Sequence, residues 1–148
     1  MVIGLNSWAA SSDRPHKGWD FSEAGRIPVQ NGGRVKPMDS FAREVVMFVT
    51  GSSGWQGFSP VDLLLSWLSL PQVWEDAPFV QVNRNDVKRQ LGLAEGRRRF
   101  SPRELISSSA LAQYATRMPQ PLPGQKLSPR DQELRALLDR ISVFRAIV

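Results

Sequence analysis

The stretch Arg26-Ile-Pro-Val-Gln-Asn-Gly-Gly-Arg-Val-Lys-Pro-Met-Asp-Ser-Phe-Ala-Arg-Glu44 decides how the chain begins to fold. Arg26–Val29 reads as a short extended piece held by Pro28. Asn31-Gly32-Gly33 is a turn, because these residues tolerate positive φ. A second extended piece follows, then Pro37, then a helix capped by Asp39 or Ser40 and running to about Thr50. Phe41, Val45, Phe48 and Val49 are expected on one face of it, and Gly51 ends it.

Further along, one helix-start pattern occurs three times: Ser59-Pro-Val-Asp62, Ser101-Pro-Arg-Glu104 and Ser128-Pro-Arg-Asp131. Serine accepts an orphan N–H of the first turn, and proline fits the first helical position, where no donor is needed. The acid reaches back to the cap and complements the positive helix end. Helices are predicted near 60–70, 102–117 and 129–147. A shorter one, opened by Asn85, covers about 86–91 and stops at Gly92. Pro78–Val82 reads as a short strand, with Arg97–Phe100 as its partner. Met118–Gln125 is a connector in which Pro119, Pro121 and Pro123 forbid regular structure. The last helix carries Leu134, Leu137, Leu138, Ile141, Phe144 and Val148 at helical spacing. This stripe either packs on the domain, meets a partner or continues toward a membrane.

The expected fold is therefore mainly α, with four to six short helices and a small two-stranded β element. Residues 1–25 read as an irregular arm or linker that Trp8 and Trp19 could pin to a core. Residues 26–148 read as a single helical domain.

Composition agrees with one globular unit. The chain has 148 residues, 41% of them apolar and 22% charged. That length suits about one domain. The net charge of +5 reflects either a solvated basic surface or an acidic partner such as nucleic acid, anionic lipid headgroups or haem propionates. No cysteine is present, which excludes disulfides, thiolate metal ligands and cysteine nucleophiles. His16 is the single histidine, so multi-histidine metal sites are excluded too. No run reaches the roughly 18 apolar residues that a membrane-spanning helix needs. Met1–Ala10 is mildly apolar but lacks the basic start of a signal peptide.

Catalytic patterns are thin. There is no G-x-S-x-G, H-E-x-x-H or P-loop. Gly51-Ser-Ser-Gly54 reads as a helix-end loop. Asp39 and Glu44 are five apart and would not face one site closely. Glu75 and Asp76 are neighbouring carboxylates without an evident acid–base partner. No self-contained active site is expected.

Two cationic segments remain. Arg97-Arg98-Arg99, preceded by Arg84, Lys88 and Arg89, is the nucleic-acid candidate, with the plainer reading of a solvated loop. In the opening stretch, Arg34, Lys36 and Arg43 lie close in sequence to Asp39 and Glu44. Either these five form a local ion-pair cluster, or they make an anion-docking or partner-binding site in which Arg34 offers a bidentate fork.

The stretch from Pro28 to Glu44 also resembles the P-V-Q-x-G-G-R-x-K-P-L-D-T/S-x-A-R-E segment of cytochrome c biogenesis proteins of the ResB/CcsA type, the system II pathway. The similarity rests on Pro28, Val29, Gln30, Gly33, Arg34, Lys36, Pro37, Asp39, Ala42, Arg43 and Glu44. Weaker similarity continues at Trp74–Pro78, Val87–Leu93 and Leu138–Ile141. The resemblance implies a soluble region on the extracytoplasmic (periplasmic) face, followed in the parent protein by CcsA-like membrane helices. It implies apocytochrome c or ResB/CcsA-type membrane subunits as partners. The family's tryptophan-rich haem motif and membrane histidines have no counterpart here. No cofactor is therefore expected on this domain, haem being handled by the rest of the parent. Met38 and Met47 are expected in the core. Beside this reading stands that of a basic helical nucleic-acid-binding module.

Overall fold

Proline and serine placement sets where the helices begin. The computed structural model describes residues 20–118 and 124–148. The readings at Trp8, His16, Trp19, Pro119, Pro121 and Pro123 lie outside them. A 3-10 turn, Ser22–Arg26, leads into strands β1 (Pro28–Asn31) and β2 (Arg34–Pro37). Helices α1 (Met38–Thr50), α2 (Pro60–Ser69) and α3 (Pro71–Glu75) follow. Strand β3 (Val80–Gln81), helix α4 (Asn85–Leu91) and strand β4 (Arg99–Phe100) come next. Helices α5 (Pro102–Ile106), α6 (Ser109–Thr116) and α7 (Pro129–Ile147) complete the described chain.

The fold is mainly helical, as expected, and β1–β2 and β3–β4 are separate two-stranded antiparallel pairs. The helix count among the described residues is seven rather than four to six. Two local breaks account for this. Pro71 starts α3 immediately after α2 ends. The predicted helix over 102–117 divides at Ser107 and Ser108. There the Ser107 hydroxyl donates to the Arg103 carbonyl at 2.7 Å, and that of Ser108 to Leu91 at 3.2 Å. Serine hydroxyls compete with the helical ladder in this way.

All three Ser-Pro starts cap as expected. Ser59, Ser101 and Ser128 accept from the N–H groups of Asp62, Glu104 and Asp131. Only Ser101 makes a full reciprocal box, in which Glu104 accepts from the Ser101 N–H at 2.8 Å. Asp62 reaches elsewhere and receives the Phe21 N–H at 2.8 Å, tying the 3-10 turn to α2.

Helix α1 departs from expectation at its start. Its cap position is Pro37, with no side-chain cap bond, and Asp39 lies within the first turn. Strand β2 delivers the chain directly, and the Met38 N–H donates back to Ile27 at 2.8 Å. The buried face is also rotated. Ala42, Val45, Val46 and Val49 are buried, whereas Phe48 and Met47 are 44% and 49% exposed. Met47 is therefore not core, and Met38 is only partly buried against it. Gly51, at φ 70°, ends the helix as the sequence requires.

Helix α1 packs along α2 and against α7. Val61, Leu63, Leu64 and Trp67 of α2 are buried. From α7 come Leu134, Leu137, Ile141 and Phe144, so its stripe docks on this domain. Among the rings between them, Phe79 is central. It stacks on Trp67 at 5.2 Å and meets Phe144, Trp74 and Trp55 at 5.1, 6.0 and 6.3 Å. Phe79 is fully buried. Removing such a ring costs about 3–5 kcal/mol, a large share of the ~5–15 kcal/mol that holds a domain folded. Phe79→Ala is expected to lower stability on that scale in urea denaturation, and Phe79→Leu by clearly less. Equal, small losses would show that the rings do not converge on this residue.

Candidate functional site

The hairpin is built by its turn. Gly32 and Gly33 have φ of 59° and 76°. Two successive positive φ values are what a two-residue loop needs to match the twist of its strands. The register pairs Pro28 with Pro37, Val29 with Lys36, Gln30 with Val35 and Asn31 with Arg34. Side chains alternate across a strand, so Arg34 and Lys36 share one face and Val35 takes the other. Val35 is 73% exposed.

Lys36 is the anchor. Its Nζ donates to Glu44 Oε2 at 2.6 Å, joining β2 to the second turn of α1. Arg43 Nε donates to Asp39 Oδ2 at 2.8 Å, one turn apart on α1. Asp39 also complements the positive start of the helix. The structure thus sorts the five predicted residues into two separate ion pairs and one remainder. Asp39 and Glu44 do not converge on one site. Arg34 is exposed and makes no side-chain hydrogen bond or ion pair among the described residues. The ion-pair reading describes four of the five, and Arg34 is the cation left uncommitted.

Below this unit, Gly25 brings the 3-10 turn close to its neighbours. A Cβ there would lie 3.4 Å from Asp39 Cβ and 3.6 Å from Val61. Sequence reasoning placed this glycine in an irregular arm, and only the folded chain shows what it packs against.

The second cationic segment is divided as well. Arg97 grips both oxygens of Glu104 at 2.7 and 3.2 Å and lies over the Phe100 ring at 4.8 Å. Arg99 turns inward, donating to the carbonyls of Thr50 and Phe79 at 2.8 and 3.0 Å and to Ser52 Oγ at 3.4 Å. Arg98 is exposed, without a side-chain partner among the described residues. Two of the three guanidinium groups are thereby spent inside the fold, and the run is not an even stripe for a phosphate backbone. Lys88, on α4, is buried and donates to the Glu95 carbonyl at 3.0 Å. Glu75 and Asp76, the neighbouring carboxylates, both bind Arg103, at 3.0 and 2.6 Å, and serve as a tie between α3 and α5. Among the described residues no group of three or more acidic or histidine side chains converges on a metal position. No helix among them is long and apolar enough to cross a membrane.

Glu104 links capping to charge. Burial raises the pKa of its carboxyl, but the hydrogen bonds from Arg97 and the Ser101 N–H outweigh this and hold it below its ordinary value of 4.5. A depressed folded value stabilises the fold fully above the unfolded pKa, and that contribution is lost as pH falls through the folded one. Stability should therefore fall on acidification below about 4.5, the ordinary value. Glu104→Gln, which can still cap Ser101, should flatten that acid limb. Urea denaturation from neutral pH to well below 4.5 measures it, and an unchanged acid limb in the variant would exclude Glu104 as a source.

No protein-family model matches the chain. The chain is similar to Protein NrfI of Wolinella succinogenes, at 23% identity over 112 residues. The matched part is 75% of this chain and 12% of that protein, so the chain spans only a small fraction of its relative's length.

Proposed function

We propose that this chain is an accessory domain of a cytochrome c assembly protein of the system II type. It works on the extracytoplasmic face of a membrane. Hairpin β1–β2 and the first turns of α1 position apocytochrome c or a ResB/CcsA-type membrane subunit. Haem delivery and attachment belong to the rest of the parent protein.

One observation carries the reading. The residues that resemble the system II segment, Pro28 to Glu44, form one continuous unit at the surface, in which only Ala42 is fully buried, and Arg34 stands uncommitted on it. A segment kept only for packing would bury its characteristic side chains. Here the glycine turn and the Lys36–Glu44 bond fix the geometry, and the free fork of Arg34 is presented to solvent. The similarity to NrfI supports a link to cytochrome c biogenesis loosely, and its small share of that protein suits a part of a larger machine.

In the full assembly protein, Arg34→Ala combined with Lys36→Ala is expected to lower holocytochrome yield severalfold while the protein level stays constant. Arg34→Ala alone should reproduce most of that loss, because Lys36 acts mainly as the anchor. Unchanged yield at unchanged protein level would make the segment purely structural.

A further inference from the structure

An open cleft of about 450 Å³ lies between the turn after α1 and the β3–β4 pair. Trp55, Gln56, Pro78, Arg97, Arg98 and Arg99 line it. None of these is an acid. None belongs to the hairpin unit, so a ligand held in the cleft is independent of the proposed function.

The three arginines of the cleft differ in how their charge is met. Glu104 neutralises Arg97. Arg99 is held by two backbone carbonyls and a hydroxyl, which fix the guanidinium without cancelling its charge. A guanidinium has five N–H donors. Arg99 uses Nη1 for both carbonyls and Nη2 once for the hydroxyl, which leaves its Nε–H and one Nη2–H without an acceptor among the described residues. Burial lowers the pKa of Arg99, and no acid acts to raise it. Arg98 beside it is exposed and unpaired among the described residues. Trp55 and Pro78 supply apolar surface in the same cleft. Gln56 completes the rim at φ 47°, a left-handed conformation that a non-glycine residue rarely takes.

We propose that this cleft binds an organic carboxylate, with the carboxylate received by Arg98 and Arg99 and an apolar or aromatic stem lying against Trp55 and Pro78. Rigid guanidinium forks recognise planar carboxylates through paired N–H donors. The apolar wall favours an anion with a carbon stem over a bare oxyanion. A small aromatic acid and the free C-terminus of a peptide ending in an aromatic residue both offer this chemistry.

The test uses the 148-residue chain, with backbone amide and indole NMR shifts as the readout. The ligands are 2-naphthoate and acetyl-Gly-Gly-Phe with a free carboxylate. Their controls are 2-naphthamide, the peptide amide and inorganic phosphate. One or both carboxylates should shift Gln56, Arg98 and the Trp55 indole, and the tighter of the two identifies the source. Arg98→Gln should weaken binding about tenfold or more, the scale of one charged hydrogen bond, with an unchanged thermal midpoint. Arg99→Lys keeps the charge but loses the fork, and it should weaken binding too. Equal binding of the amides, equal shifts with phosphate, or full affinity in Arg98→Gln would each overturn the proposal. Saturation by a short DNA duplex, with no response to either carboxylate, would assign the surface to a phosphate backbone and overturn it as well.

Discussion

The seating of Phe79 is the constraint on which most of the fold depends. Its ring lies within 5.1 to 6.3 Å of Phe144, Trp67, Trp74 and Trp55, which come from α7, α2, α3 and the turn after α1. Full burial of one such side chain contributes about 1.5–3 kcal/mol from removed apolar surface, and edge-to-face pairs add to it. Seating the ring also fixes the backbone that comes after it. The Phe79 carbonyl accepts from Arg99, and Val80 and Gln81 pair with Phe100 and Arg99. The Gln81 carbonyl accepts from Arg140 of α7 at 2.9 Å. A strand of two residues is too short to persist alone. It holds here because an aromatic core grips one side, Arg99 holds the Phe79 carbonyl just before it and Arg140 closes the Gln81 carbonyl.

That dependence explains which features were legible in the sequence. Signals confined to a few residues read correctly: the three Ser-Pro caps, the glycine turn and the Gly51 and Gly92 stops. Each is decided by steric or hydrogen-bonding rules within one turn of chain. Failures came where a distant element decides. Val45 to Val49 are all apolar, so periodicity could not tell which face of α1 would be covered. The packing of α2 and α7 chose Val46 and left Phe48 half exposed. Helix α3 is five residues long, below the length at which periodicity says anything.

The candidate sites show the same division. Counting cations along the sequence found the right segments, but pairing depends on geometry. Lys36 and Glu44 are eight apart in sequence and meet only because the hairpin folds onto α1. Arg97 finds Glu104 because a capped helix begins just after β4. Arg99 spans 49 residues to Thr50 and 20 to Phe79, contacts with no trace in local sequence. The sequence located the charge, and the fold determined which part of it stays available.

The allocation of acids completes that argument. The chain has 14 acidic side chains against 19 basic ones. Among the described residues, nine acids lie in ion pairs. Asp20 and Asp62 instead accept backbone N–H groups, and Asp131 accepts the hydroxyl of its own cap residue, Ser128. Arg34 and Arg98 meet none of these acids among the described residues. Exposed ion pairs add little to stability, so the fold gains little by covering either arginine. An anionic partner that brings its own carboxylate meets guanidinium groups with no internal partner to displace, one on a stiff hairpin and one beside an aromatic wall.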